Sequence, residues 1–310
     1  MKNSIIALFA TVTLASAVHA DSKIKDLPYP KGNPSALELA QQNQYVDKFY
    51  GMSRMPIAYQ PTGRAVLLTG KKGGSLFTTF VERYINTAPV GTHYLSQELS
   101  VFLSGKNQSL GFLISDFADD QLPMFQVWSP ELRKVRRMPT PLFDDRWGGS
   151  DFTWGEMLLQ RPEFETHKIV DAETFNRCLG TLQTKAPAPW ADKIPQGSCY
   201  QQERPVYVLK SIPTFSQIKE YDYRIRFIDA QTFADYRTEY YAGGQLIRVV
   251  EKNWGPMGME DPRIQGWSYM YGYDLRKNTE SMFLQVDRNT TWKPKDGEFW
   301  SDQTLRRLHR

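Results

Sequence analysis

Tyr221-Asp222-Tyr223-Arg224-Ile225-Arg226-Phe227-Ile228 is the stretch whose reading decides the fold. Tyr223, Ile225 and Phe227 fall on one face, and Asp222, Arg224 and Arg226 on the other. A period of two is the pattern of a strand in an antiparallel sheet with one wet face. A strand over 206–210 precedes it. Downstream, 229–232 turns the chain into a strand over 233–241, and Ala242-Gly243-Gly244 turns it again into 246–252. Further strands are expected at 266–273 and 281–287.

The same period runs through the first half. Strands over 65–69 and 75–84 flank Gly70-Lys71-Lys72-Gly73-Gly74, those over 98–103 and 109–115 flank Gly105-Lys106-Asn107, and those over 124–128 and 133–138 flank Ser129-Pro130-Glu131. This is a meander of hairpins and not an alternation of β and α units. Ser35-Ala36-Leu37-Glu38 has the pattern of a capping box and opens a helix over 35–49. Helices are also expected over 151–160 and 301–309. The fold class is mainly β (α+β), with about ten to twelve strands in one curved antiparallel sheet that blunts its edges or nearly closes.

At 310 residues the length alone suggests two domains. No low-complexity linker separates the halves, so one β domain over 61–310, preceded by an extended lead-in and helix over 21–60, is the economical division. The 38 Lys and Arg and 34 Asp and Glu are mixed along the chain, which argues against a nucleic-acid footprint. The 8 Trp, 16 Tyr and 17 Phe favour strands. Residues 1–20 read as a secretory signal: Lys2, an apolar run over 5–17, and Val18-His19-Ala20 before a mature start near Asp21. The run falls short of the roughly 20 residues that span a bilayer. In an oxidising compartment Cys178 and Cys199, the sole pair, suggest one disulfide across a Pro-rich loop containing Pro187, Pro189 and Pro195. A redox-active pair is the alternative, although no Cys-x-x-Cys is present.

Catalytic and cofactor patterns are missing. There is no Gly-x-Ser-x-Gly, and turns explain Gly73-Gly74-Ser75 and Gly148-Gly149-Ser150. His93 and His167 lack metal-ligand spacing, and Gly70–Ser75 lacks the Walker order. Asp116, Asp119 and Asp120, then Asp144 and Asp145, fit solvated loops better than a calcium site or an acid/base pair. The composition points to no enzyme, metal or cofactor.

One region rises above this background: Trp128-Ser129-Pro130-Glu131-Leu132-Arg133-Lys134-Val135-Arg136-Arg137-Met138, followed by Trp147-Gly148-Gly149-Ser150-Asp151-Phe152-Thr153-Trp154-Gly155-Glu156. Ser150 or Asp151 would cap a helix, and Arg136 or Arg137, on opposite strand faces, could pair with Asp151 or form a basic lip for an anionic head group. The Arg133–Arg137 strand and the Gly149-Ser150-Asp151-Phe152 turn resemble the signature of the outer membrane lipoprotein-sorting proteins, relatives of the carrier LolA and its receptor LolB. Ile228-Asp229-Ala230-Gln231-Thr232 and Tyr240-Tyr241-Ala242-Gly243-Gly244-Gln245-Leu246 carry a second match. The chain departs at Trp154-Gly155-Glu156, where the family more often has an aromatic and two acids, and in its long N-terminal part.

The resemblance implies an incomplete, strongly curved antiparallel barrel, helices covering its open side, and an apolar cavity between. It also implies a periplasmic carrier of a lipid or lipid-like molecule, with lipoprotein acyl chains among the candidates, working with an inner-membrane exporter of the resistance-nodulation-division type. Candidate lining residues, taken from apolar strand faces, are Phe102, Phe112, Phe125, Val127, Tyr223, Ile225, Phe227 and Tyr240. The alternative is a periplasmic adaptor that docks to a transporter or outer-membrane partner and carries nothing.

Overall fold

The computed structural model describes residues 24–52, 54–56, 65–87, 89, 93–119, 121–183, 194–285 and 297–308. The leader over 1–20, Asp120, Pro187, Pro189 and the end of the strand expected over 281–287 lie outside the described residues. The first meander comprises β1 (Arg54–Pro56), β2 (Ala65–Lys71), β3 (Leu76–Asn86), β4 (Tyr94–Phe102), β5 (Gly111–Phe117), β6 (Met124–Ser129) and β7 (Lys134–Met138). The second comprises β8 (Glu165–Thr174), β9 (Pro205–Pro213), β10 (Tyr223–Asp229), β11 (Asp235–Ala242), β12 (Gln245–Pro256), β13 (Gln265–Asp274) and β14 (Thr279–Gln285). All pairings are antiparallel, and β2 pairs with β14, with Leu67 opposite Phe283, so that the two meanders become one sheet.

The path runs from β7 through β2 and β14 to β8, with β1 beside β3. It is not closed into a barrel. β7 ends it with exposed Arg136 and Arg137, charges that blunt a free edge. The expected strands are present, and β1 and β8 were not expected. Glu-Thr-His-Lys-Ile-Val-Asp-Ala-Glu-Thr in β8 is too polar to read as a strand, because an edge strand needs little apolar surface.

Helix α1 (Ala36–Asp47) starts at the expected capping box: Ser35 Oγ accepts from Glu38 N at 3.2 Å and Glu38 Oε2 from Ser35 N at 3.4 Å. It lays Leu39, Ala40, Asn43 and Val46 on one face of the sheet, here called inner. Leu37 lies on the opposite, exposed side. Helix α2 (Asp302–Arg307), capped by Ser301, packs Leu305 on the outer face with Leu99 and Leu113. Cys178 and Cys199 form the disulfide, and the loop it pins places Leu182 and Ile194 over Val66, Tyr271 and Met282 on the outer face.

The middle of the inner face is filled by the chain itself. Trp147 lies between Phe102 and Phe283, with ring centroids 5.7 and 5.0 Å away. Gly148 makes the turn behind it at φ 60°, a left-handed conformation that glycine adopts without a Cβ penalty. Fully buried Phe152 then lies flat on β13, where a Cβ at Gly272 would come 2.8 Å from its ring.

The helix expected over 151–160 reduces to a single π-helical turn, Gly155–Leu159. Its start is Thr153, whose hydroxyl accepts from Glu156 N at 3.2 Å while Glu156 Oε2 accepts from Thr153 N at 2.8 Å. Ser150 bonds back to the Trp147 carbonyl. Asp151 accepts from the hydroxyls of Thr279 (2.6 Å) and Ser281 (2.7 Å) on β14. The expected pairing of Asp151 with Arg136 or Arg137 is absent: both arginines are exposed on the edge strand, and two hydroxyls satisfy the carboxylate. Gly149-Ser150-Asp151-Phe152 is thus a pin that fixes the inner loop to the sheet.

Candidate ligand cavity

Pairing register assigns every strand residue to a face. Following Phe125, Ile114, Glu98, Ile85, Val81, Ala65 and onward through Phe283, Met270, Lys252, Val250, Thr238 and Arg226 traces the inner face. Phe102, Phe112, Phe125 and Val127 lie on it. Phe112 and Phe125 meet the edge of Trp154, at 5.6 and 5.4 Å, so the chain's own loop already occupies that half. Val127 lies half-buried opposite Arg136 near the free edge.

In the second meander the face assignment is reversed. Arg224 and Arg226 point inward, opposite Tyr240 and Thr238, and both are buried. Tyr223, Ile225 and Phe227 point outward: Tyr223 stacks on Tyr241 with centroids 4.8 Å apart, and Phe227 packs on Phe175. Of the cavity candidates on this side, only Tyr240 faces in. The reversal arises because Arg224 finds the Glu165 carboxylate inside and Arg226 finds the neutral oxygens of Asn43 and Ser211, which lower the penalty that would keep them in water.

Three separate sets of ion pairs line this side of the inner face. Arg224 grips Glu165 through Nε (2.9 Å) and Nη2 (2.5 Å), and Tyr221 donates to the same carboxylate. Lys252 ties Asp235 to Asp47 of α1. Arg248, 4.0 Å above the Tyr240 ring, pairs with Glu156 and, at 3.2 Å, with Glu220. Across the sheet, Arg83 and Glu98 make a bidentate pair at 2.7 Å. The Asp116 carboxylate pairs with Arg161 at 2.8 Å, Asp119 caps Gln121, and Asp144 accepts from the amides of Lys219 and Glu220.

Two cavities of ≈ 40 Å³ each remain between this face, α1 and the π-helical turn. The first is charged, with Asn43, Gln44, Arg224, Arg226 and Lys252 among its walls. The second is half apolar, with Phe49, Ile85, Ile114, Met157 and Leu158 facing Arg83 and Glu98. Asp47 and Lys48 border both.

The surroundings shift several of these groups. Burial pushes Lys48 down to about 8 against the attraction of Asp47. Burial, then repulsion from Arg224, lowers Arg226 to about 10. Burial and Arg226 together lower His167 to about 4, so its ring is neutral. It bridges Ser211 Oγ and the Pro162 carbonyl at 2.8 Å each. Glu165 is raised by burial but more strongly lowered by Arg224 and Arg226, and ends below the usual carboxylate range.

No protein-family model matches the chain, and no curated protein matches its sequence. Solved structures do. A putative outer membrane lipoprotein-sorting protein domain from Vibrio parahaemolyticus superposes with a TM-score of 0.60 at 15% identity, covering 87% of this chain and 98% of its own. The fold is LolA-like. A DUF1329 family protein from Desulfovibrio piger gives 0.62 at 14% identity, covering 87% and 97% of the two chains. A LolA superfamily protein from Nitrosomonas europaea gives 0.55 at 9%, covering 88% and 100%. In this LolA-like sheet the polar side chains around the cavities, Lys48, Glu165, Arg226 and Lys252, are the residues sequence reading missed. The signal in the sequence is the charged face of the Tyr221–Ile228 alternation, which points inward and not to water.

Proposed function

We propose that the protein is a non-enzymatic carrier that holds a lipid-like amphiphile between its sheet and α1, in the periplasm. The observation behind this reading is the pair of cavities meeting at Lys48, one charged and one half apolar, in a LolA-like fold. The neighbour described as an outer membrane lipoprotein-sorting domain fits such a role, and the disulfide fits an oxidising compartment. In this division of labour residues 61–310 form the carrier body and 21–60 its lead-in, with a resistance-nodulation-division exporter as the donor.

A cavity of ≈ 40 Å³ has room for water and none for an acyl chain. Loading requires α1 and the π-helical turn to move off the sheet. Burying about twelve methylenes at ~0.8 kcal/mol each yields roughly 10 kcal/mol gross. Association and opening consume much of it, at about 4–15 kcal/mol, which suits reversible hand-over.

Mass spectrometry of organic extracts from the natively exported protein is the test. A defined bound lipid is the expected result. The absence of any lipid, together with failure of the delipidated protein to bind a fluorescent fatty acid, would refute the carrier. The exposed basic strand β7, with Met138 and Leu142 also exposed, favours docking to a partner as a second role. A pull-down that survives blockage of the cavities would favour that role alone.

A further inference from the structure

Arg161, Arg224 and Lys252 at the charged cavity are each matched by a carboxylate: Asp116, Glu165, and Asp235 with Asp47. Asp47, sharing Lys252 with Asp235, also offsets its neighbour Lys48. Arg226 is left over. It is 6% exposed and, among the described residues, bonds only to neutral groups, Asn43 Oδ1 at 2.9 Å and Ser211 Oγ at 3.0 Å. Its Nε is buried with no hydrogen-bond partner. Lys48, on the same cavity, makes a single long bond among the described residues, to the Met157 carbonyl at 3.4 Å. The buried amide oxygen of Gln44, another wall residue, is also unpartnered, and a half-turn of that amide presents N–H instead. A buried guanidinium with a vacant N–H and no carboxylate bonded to it is costly unless something anionic completes it.

We infer that the charged cavity is the seat of a singly charged oxyanion, the carboxylate or phosphodiester head of the carried amphiphile, held by Arg226 and Lys48. The geometry also orients the cargo. With its head between Arg226 and Lys48, the tail leaves through the second cavity past Ile85, Ile114 and Met157, because Lys48 borders both spaces. With Glu156 assigned to Arg248, five cations (Lys48, Arg161, Arg224, Arg226, Lys252) face four carboxylates (Asp47, Asp116, Glu165, Asp235), and one bound monoanion balances them. The inference rests on the carrier reading and deepens it by naming the head group's chemistry.

The test compares a fluorescent C12 fatty acid with its methyl ester, titrated into delipidated full-length protein at neutral pH. The acid is expected to bind ten- to a hundredfold tighter, the range for charge-assisted hydrogen bonds closing an unpaired site. Arg226→Gln removes the preference, and Arg226→Lys restores part of it. If Arg226→Gln does not fold, Lys48→Gln, at a half-buried position, is expected to lower the preference severalfold. Equal binding of acid and ester by the wild type overturns the anion seat while the carrier stands. Binding of neither probe overturns both. Inorganic phosphate alone, at millimolar concentration, is expected not to displace the ester. Displacement of the acid by phosphate with no preference between acid and ester would overturn the head-group assignment.

Discussion

Glu165→Gln separates the stability of the inner face from its chemistry. The carboxylate is completely buried, takes both prongs of Arg224 at 2.9 and 2.5 Å, and accepts from Tyr221 at 2.9 Å. Gln keeps the shape and one acceptor but removes the charge, leaving Arg224 as a second unmatched guanidinium beside Arg226. Breaking a buried pair from one side costs about 3–5 kcal/mol, because the remaining charge stays desolvated. Urea melts should show that loss as a lower midpoint at unchanged slope. The same variant should bind the C12 acid more tightly relative to its ester, since a bound carboxylate then serves two cations, and saturating acid should restore part of the lost stability. A loss below about 1 kcal/mol with an unchanged acid-to-ester ratio would refute the account, because Arg224 would then be solvated without Glu165.

Two other outcomes follow from single groups. His167 is held neutral with its pKa lowered to about 4, so the unfolded chain takes up a proton at higher pH than the folded one. Stability should therefore fall as pH drops from about 6.5 toward 4, by about 2 kcal/mol once partial solvation of the ring is allowed for, and His167→Gln should flatten that part of the melting-temperature profile. Replacing Cys178 and Cys199 by Ser should cost about 3 kcal/mol in the loop-entropy account and expose Leu182 and Ile194, read as a lower melting temperature under non-reducing conditions.

Strands were legible because alternation and turn glycines are local. Residues 229–232 and Ala242-Gly243-Gly244 locate hairpins whatever else the chain does, and the Ser35–Glu38 box locates α1. Which face of a strand is inside is not local. In Tyr221–Ile228 both faces are internally consistent, and the choice is made by Glu165, Asn43 and Ser211, residues 15 to 183 positions away. The partners of Asp151 were hidden for the same reason, since Ser281 lies 130 residues on and a hydroxyl in a strand carries no motif. β8 escaped because an edge strand can be polar throughout. A rule follows for sheets of this kind: arginines alternating with aromatics predict a wet face only if the rest of the chain cannot supply buried carboxylates and amides.

A charged inner face also changes what lifting α1 off the sheet costs. If α1 were seated by apolar contact alone, lifting it would expose surface at roughly 25 cal/mol per Å², all of it unfavourable. Its polar seat is Asp47 on Lys252, Asn43 on Arg226 and Lys48 on the Met157 carbonyl. Charges and amides released from such contacts regain hydration, which offsets most of the interaction they lose, because the net value of a buried ion pair is close to zero. The apolar part of the seat, Leu39, Ala40, Val46 and Phe49, then sets most of the barrier. An entering amphiphile can replace it, chain for chain. On this view the ion pairs fix where α1 closes, the apolar residues fix how firmly, and Arg226 decides which end of the ligand goes in first.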